Sequence, residues 1–196
     1  MENKISNQTG EELFESYLKG NIEAFEKLIE LYEDELARFI YVMVGNSCEV
    51  KNLTIETFGE LAVTGKNFNG KSSLKTYLFA IAKNVTYKYI KMQKKNEYIS
   101  FDEIANMIYD AQETPHALLE RNEEKSLLYD AMSKIKKEHR EVLELIYLNN
   151  MSYKQVANII GKNENATKQL IYRAKLSLQK VMDISSGFTI HFLYLP

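Results

Sequence analysis

Apolar residues recur at helical spacing along most of this chain. From Ile22 they fall at Phe25, Leu28, Ile29, Tyr32, Leu36, Phe39, Ile40 and Met43, the period of a helix with one buried face. Gly45-Asn46 supplies its stop signal. A second helix is expected through Leu53, Phe58, Leu61 and Ala62, ending near Gly65. The stretch Phe68-Asn69-Gly70-Lys71-Ser72-Ser73 reads as a loop, with Ser72 or Ser73 placed to cap the next helix. That helix should continue to about Lys95 with Leu74, Leu78, Ile81, Ala82, Val85 and Tyr89 inward. Regularity lapses over 97–122, an acidic stretch containing Pro115, and returns from Glu123 through Leu127, Leu128, Ala131, Met132 and Ile135. It continues at Val142, Leu143, Ile146 and Tyr147. No strand alternation precedes residue 187 and no internal repeat is visible. The pattern predicts an all-α chain of two small helical domains, 11–96 and 123–183. A flexible linker over 97–122 joins them, with a flexible N-terminus at 1–10 and an apolar tail within 184–196.

Within the second domain, Tyr153–Tyr172 (YKQVANIIGKNENATKQLIY) has the proportions of a helix-turn-helix. Val156, Ala157 and Ile160 form the expected inner face of its first helix, and Gly161 stands where the turn needs a positive φ. Asn163 is placed to cap the second helix, whose inner stripe is Leu170, Ile171, Ala174 and Leu178. Lys168, Gln169, Tyr172, Arg173 and Lys175 are then left outward. From Asn165 to Met182 there are four basic residues and no acid. Asn165, Lys168 and Gln169 near the helix start suit base edges, and the later cations suit phosphates. Thr167 is a departure, since an aliphatic residue is commoner there.

Charge changes the picture more than composition does. The 196 residues carry a net charge of −2, with 45% hydrophobic and 27% charged, as in a folded soluble protein. Yet Leu61–Asn96 holds eight lysines and no carboxylate, while the remainder carries 17 basic and 27 acidic side chains. A solvated helix normally mixes signs, because Glu–Lys pairs four apart stabilise it. Tolerated self-repulsion suggests that a polyanion neutralises it. Interleaved with these lysines are Phe68, Tyr77, Phe79, Tyr87 and Tyr89. Lysines track a phosphate backbone and exposed rings stack on unpaired bases, so the mixture points to single-stranded nucleic acid. Phe79 and Tyr89 fit the core better than a stacking role. Asn84 and the Phe68–Ser73 loop add groups suited to a base edge, with Gly70 permitting close backbone approach. The candidate single-strand site is therefore Phe68, Asn69, Gly70, Lys71, Ser72, Ser73, Lys75, Thr76, Tyr77, Lys83, Asn84, Lys88 and Lys91. One chain would carry a duplex reader and a single-strand reader on one tether, which is what opening a promoter requires.

Other chemistries find little support. No apolar run approaches the roughly 20 residues of a membrane helix, and the first residues lack the apolar core of a secretory signal. The single cysteine, Cys48, excludes an internal disulfide, and His116, His139 and His191 are scattered. No metal, cofactor or enzymatic role is expected, and a cytoplasmic location is. There is no nucleophile elbow, phosphate-binding loop or histidine–carboxylate constellation. Glu11-Glu12, Glu33-Asp34 and Glu123-Glu124 read as solvated helix surface.

At this point the sequence resembles the extracytoplasmic-function (ECF) family of bacterial sigma factors over nearly all of residues 11–183. GNIEAFEKLIELYEDELARFI (20–40) is similar to the family's opening helix and NLTIETF (52–58) to its polymerase-docking segment. FNGKSSLKTYLFAIAKN (68–84) is similar to its melting and minus-ten segment. REVLELIYLNNMSYKQVANIIGKNENATKQLIYRAK (140–175) is similar to its minus-thirty-five reader. The resemblance implies a two-domain subunit that binds core RNA polymerase, recognises both promoter elements and nucleates melting, held in check by an anti-sigma partner. It implies polymerase contact around Asn52, Leu53, Ile55, Glu56 and Phe58. It also implies a flipped base in the Phe68–Ser73 loop, and major-groove entry by the helix from Glu164 to Lys175, with Asn163 and Asn165 at its start. Asn52 and Ile55 replace an acidic residue and a glutamine common in the docking segment. Tyr77 replaces a tryptophan, and Lys88 a carboxylate. Ile135-Lys136, Lys162, Ala166 and Leu170 also depart from the common pattern. The alternative function is a helix-turn-helix regulator that binds duplex DNA without sigma activity, but residues 11–96 resemble no phosphoacceptor or ligand-binding domain.

Overall fold

The computed structural model describes residues 8–45, 48–97, 128 and 130–186. Helix α1 (Gly10–Leu18) opens on Thr9, whose hydroxyl accepts from the Glu12 amide while Glu12 accepts from the Thr9 amide. This reciprocal pair satisfies donors that a helix start leaves open. Helix α2 (Ile22–Val44) starts on Asn21 and stops at Gly45, whose φ of 70° is the left-handed conformation that glycine adopts without steric cost. Helix α3 (Val50–Thr64) runs into a single 3₁₀ turn at Gly65–Asn67, and α4 (Leu74–Glu97) follows the loop.

In the second domain a helical stretch at 130–133 leads to α5 (Lys137–Leu143), which widens into a π turn at Glu144–Leu148. The wider turn is closed by the Asn149 amide donating to the Glu144 carbonyl at 3.0 Å. Asn150 then takes a φ of 53°, a left-handed conformation asparagine tolerates. Helices α6 (Tyr153–Ile160) and α7 (Glu164–Ser186) complete the chain. Every element among the described residues is helical, as the all-α expectation requires.

The first domain packs α2 between α1, α3 and α4, with Leu28, Leu36, Phe39, Ile40, Leu61, Leu74, Leu78 and Phe79 fully buried. Phe39 and Phe79 lie 5.2 Å apart between ring centroids. The second domain packs α5 and α6 on α7. The two cores are continuous, because α5 also meets α2 and α6 also meets α4.

Four expectations change. Helix α1 was not anticipated as a separate element. Ile159 is buried where Ile160 was expected inward, since α6 packs against α4 as well as α7 and needs a wider apolar face. Tyr89 is half-buried and not part of the closed core. Thr167 is wholly buried, yet its hydroxyl donates to the Asn163 carbonyl at 2.9 Å, so its polar atom is satisfied locally. The acidic linker 97–122 and the apolar tail 187–196 lie outside the described residues, apart from Glu97.

Candidate nucleic-acid interface

The Phe68–Ser73 loop is held by rings at one end and caps at the other. Phe68 meets Phe14 edge-on at 6.1 Å and tilts over Tyr77 at 5.2 Å. Gly65 allows this approach, because a Cβ there would run into the Phe14 ring. Asn69 accepts from the Lys71 amide at 3.2 Å, closing a short turn through Gly70 at φ 69°. Ser73 caps α4, its hydroxyl accepting from the Thr76 amide at 3.2 Å. Glu11 of α1 adds a second cap, accepting from the Leu74 amide at 2.8 Å. Asn69, Gly70 and Lys71 are exposed at the loop tip.

Beyond the loop, α4 divides its surface. Asn84, Lys88 and Lys91 are exposed and recur at four- and three-residue intervals, so they share one helix face with Tyr77. Lys75, Phe79, Lys83 and Tyr87 recur every four residues on the adjoining face, where Phe79 packs on Phe39 of α2 and the other three meet the second domain. Lys75 Nζ pairs with Glu35 at 2.8 Å and donates to the Asn149 carbonyl at 3.2 Å. Lys83 Nζ donates to the Ile159 carbonyl at 3.1 Å and lies 4.0 Å from Glu141. Tyr87 donates to Glu141 at 3.0 Å. The Ser73 hydroxyl also accepts from Gln155 of α6 at 3.3 Å.

Burial sets the electrostatics of this seam. It pushes the Glu141 carboxyl up, against the pull of Lys83, Tyr87 and Lys137, and it pushes the Lys83 ammonium down, against Glu141. Tyr87 is raised to about 12, first by burial and then by Glu141. Both members of the Lys83–Glu141 pair thus shift in the direction of desolvation, so their mutual attraction does not offset burial.

The predicted single-strand residues therefore split three ways. Asn69, Gly70, Lys71, Asn84, Lys88 and Lys91 are accessible, and Phe68, Ser72 and Tyr77 are half-buried. Ser73, Lys75 and Lys83 are engaged by the second domain. Thr76 is 2% exposed, its hydroxyl 2.8 Å from that of Ser73; its place is in the cap, not in a contact surface. In the duplex reader, Asn163 caps α7 by accepting from the Ala166 amide at 2.8 Å. Glu164, Asn165, Lys168, Gln169, Tyr172 and Arg173 are exposed, with Lys168 pairing to Glu164 at 3.1 Å. Lys175 is half-buried, its Nζ 5.3 Å over the Tyr147 ring. On α3, Asn52, Ile55 and Glu56 face solvent, whereas Leu53 and Phe58 lie in the core and set the helix in place. Sequence reasoning missed Glu11 and Glu141. The capping pair Thr9 and Glu12 could have revealed α1, but Glu141 has no local signal.

Among the described residues no helix is long and apolar enough to cross a membrane, and no cluster of three or more potential metal ligands occurs. The described surface offers cations, amides and rings for binding.

Comparisons with known proteins agree with this layout. Residues 28–96 match the Sigma-70 region 2 family model and residues 125–178 match that of Sigma-70, region 4; together they span more than half of the chain. The ECF RNA polymerase sigma factor BldN of Streptomyces coelicolor is 27% identical over 178 residues, covering 87% of this chain and 65% of that one. The ECF RNA polymerase sigma factor SigM of Bacillus subtilis is 27% identical over 154 residues, covering 79% and 92%. The fold is like that of the sigma factor RpoE from Bartonella quintana, solved with the anti-sigma factor NepR. There the TM-score is 0.66 at 20% identity, over 84% of this chain and 99% of that one. The order of the two regions, the helix-turn-helix and the sequence relatives lead to one assignment: the chain belongs to the extracytoplasmic-function family of RNA polymerase sigma factors.

Proposed function

We propose that this chain recruits core RNA polymerase to promoters, reads an upstream duplex element with α7 and captures one strand of a downstream element at the head of α4. The observation that carries this reading is the α4 face itself. Tyr77, Asn84, Lys88 and Lys91 share a stripe beside a loop whose tip is exposed and whose ends are fixed. A ring, an amide and a row of cations suit unstacked bases and their phosphates. The N-terminal turns of α7 present Asn165, Lys168 and Gln169 for base edges, with Tyr172 and Arg173 further along for the backbone. Asn52, Ile55 and Glu56 on α3 form the docking face for polymerase, and Ile55 is 61% exposed, an apolar contact suited to a protein partner. The role is binding and positioning, not enzymatic, and the place of action is the cytoplasm. An anti-sigma protein is a further proposed partner, since the related RpoE was solved with one. A duplex-binding regulator without sigma activity would leave the α4 stripe without use.

Run-off transcription with active core polymerase and a genomic fragment library tests this. Specific transcripts that depend on the added chain are expected; none from any fragment would contradict it.

A further inference from the structure

Helix α1 reaches both ends of the Phe68–Ser73 loop. At the entry, the Phe14 ring meets Phe68 edge-on at 6.1 Å between centroids, and Gly65 leaves room for it. At the exit, Glu11 Oε1 accepts from the Leu74 amide at 2.8 Å, across 63 positions of chain. Leu74 opens α4, so its amide is one of the donors that a helix start leaves without an intrahelical acceptor. Ser73 serves the Thr76 amide instead, so the two caps do not duplicate each other. Glu11 and Phe14 stand three residues apart on α1 and share one face of it. That helix is itself fixed. Thr9 and Glu12 close its start, Leu13 and Phe14 are buried, and Tyr32 packs where a Cβ on Gly10 would stand.

The charge of Glu11 is at odds with its place. Residues 61–96 carry eight lysines and no carboxylate of their own, yet α1 brings one to the start of α4, beside the surface proposed to take a strand. A carboxylate there repels phosphates, so attraction of the strand is not what it supplies. It supplies geometry, through a charge-assisted bond to a backbone amide. Phe14 is 2% exposed and cannot meet a base. Both residues therefore act through the loop, whose tip of Asn69, Gly70 and Lys71 is exposed between two anchored ends.

We propose that Glu11 is a positioning residue for strand capture: through the Leu74 amide it holds the Phe68–Ser73 loop, braced on α1, in the shape that receives an unstacked base. The inference rests on the sigma-factor reading and adds how the capturing loop is kept ready. A loop left free at one end would have to be ordered as the base enters, and that ordering lowers affinity.

The test uses holoenzyme made with the full chain and fluorescent single-stranded oligonucleotides from the melted segment of a responsive promoter. In one set of oligonucleotides each base in turn is replaced by an abasic site. Wild-type holoenzyme should bind the intact strand about tenfold more tightly than the strand lacking the captured base. Glu11→Ala should shrink that ratio to about twofold, because the unbraced loop must be ordered on binding. It should bind the abasic strand as wild type does, a result that general destabilisation would not give. Glu11→Gln, whose amide oxygen can still accept from Leu74, should restore the wild-type ratio. A wild-type ratio in Glu11→Ala overturns the positioning role, and so does a Glu11→Gln variant that fails as Glu11→Ala does. Wild-type holoenzyme for which no abasic position matters contradicts strand capture by this loop, and the inference falls with it.

Discussion

The hydroxyl of Tyr87 on α4 donates to Glu141 Oε2 on α5 at 3.0 Å, joining the two domains across 54 positions of chain. Burial raises the Tyr87 phenol from its ordinary 10.0 to about 12, as it does for Tyr32. A phenol raised by folding gives its full stabilisation below its unfolded value and loses it as pH climbs through the folded one. The packed chain is therefore expected to weaken between pH 10 and about 12. Tyrosinate absorbance should show one fewer late-titrating group in Tyr87→Phe than in wild type, with Tyr32 still titrating late. An unchanged count would mean that the Tyr87 phenol is not held against Glu141.

Phe79 is wholly buried and packs on Phe39. Phe79→Ala is expected to cost about 3–5 kcal/mol through lost transfer energy and an unfilled cavity. Urea unfolding followed by circular dichroism measures it; a loss under about 1 kcal/mol would place Phe79 outside the core.

Glu11 caps α4 from another helix. Glu11→Ala should cost about 1 kcal/mol, typical of a lost helix cap, and should speed hydrogen exchange at the Leu74 amide. Unaltered exchange there would show that the loop is held without α1.

How far the sequence reveals this arrangement depends on the range of the interactions. Helices α2, α3 and α4 were legible because each buries one regular face, and local backbone chemistry marks the end of α2 at Gly45 and the start of α4 at Ser73, as it marks the end of α6 at Gly161 and the start of α7 at Asn163. Helix α1 was not, because its nine residues bury only Leu13, Phe14 and Gly10, too few to establish a period. Leu53 and Phe58 looked like docking residues because family resemblance marks a segment, not which side of its helix faces inward. The engagement of Lys75 and Lys83 was illegible for a deeper reason. Their partners Asn149 and Ile159 lie 74 and 76 positions away, and no local pattern encodes that pairing. The helix-turn-helix was readable almost entirely, with Ile159 as the exception imposed by packing on α4.

Lys168 and Arg173 are exposed on α7. Each of Lys168→Ala and Arg173→Ala is expected to lower the salt slope of duplex-promoter binding by about one unit if it neutralises one phosphate. Fluorescence anisotropy across a salt series measures the slope. Lys168 should show the smaller change, because Glu164 already pairs with it at 3.1 Å. An unaltered slope for both would remove them from the phosphate contacts.

Permanganate footprinting of a responsive promoter tests strand capture by α4 most directly. With holoenzyme occupancy matched, Asn84→Ala/Lys88→Ala should abolish thymine reactivity in the melted segment while the upstream duplex footprint persists. Full thymine reactivity in that variant would contradict the assignment of this face to the single strand.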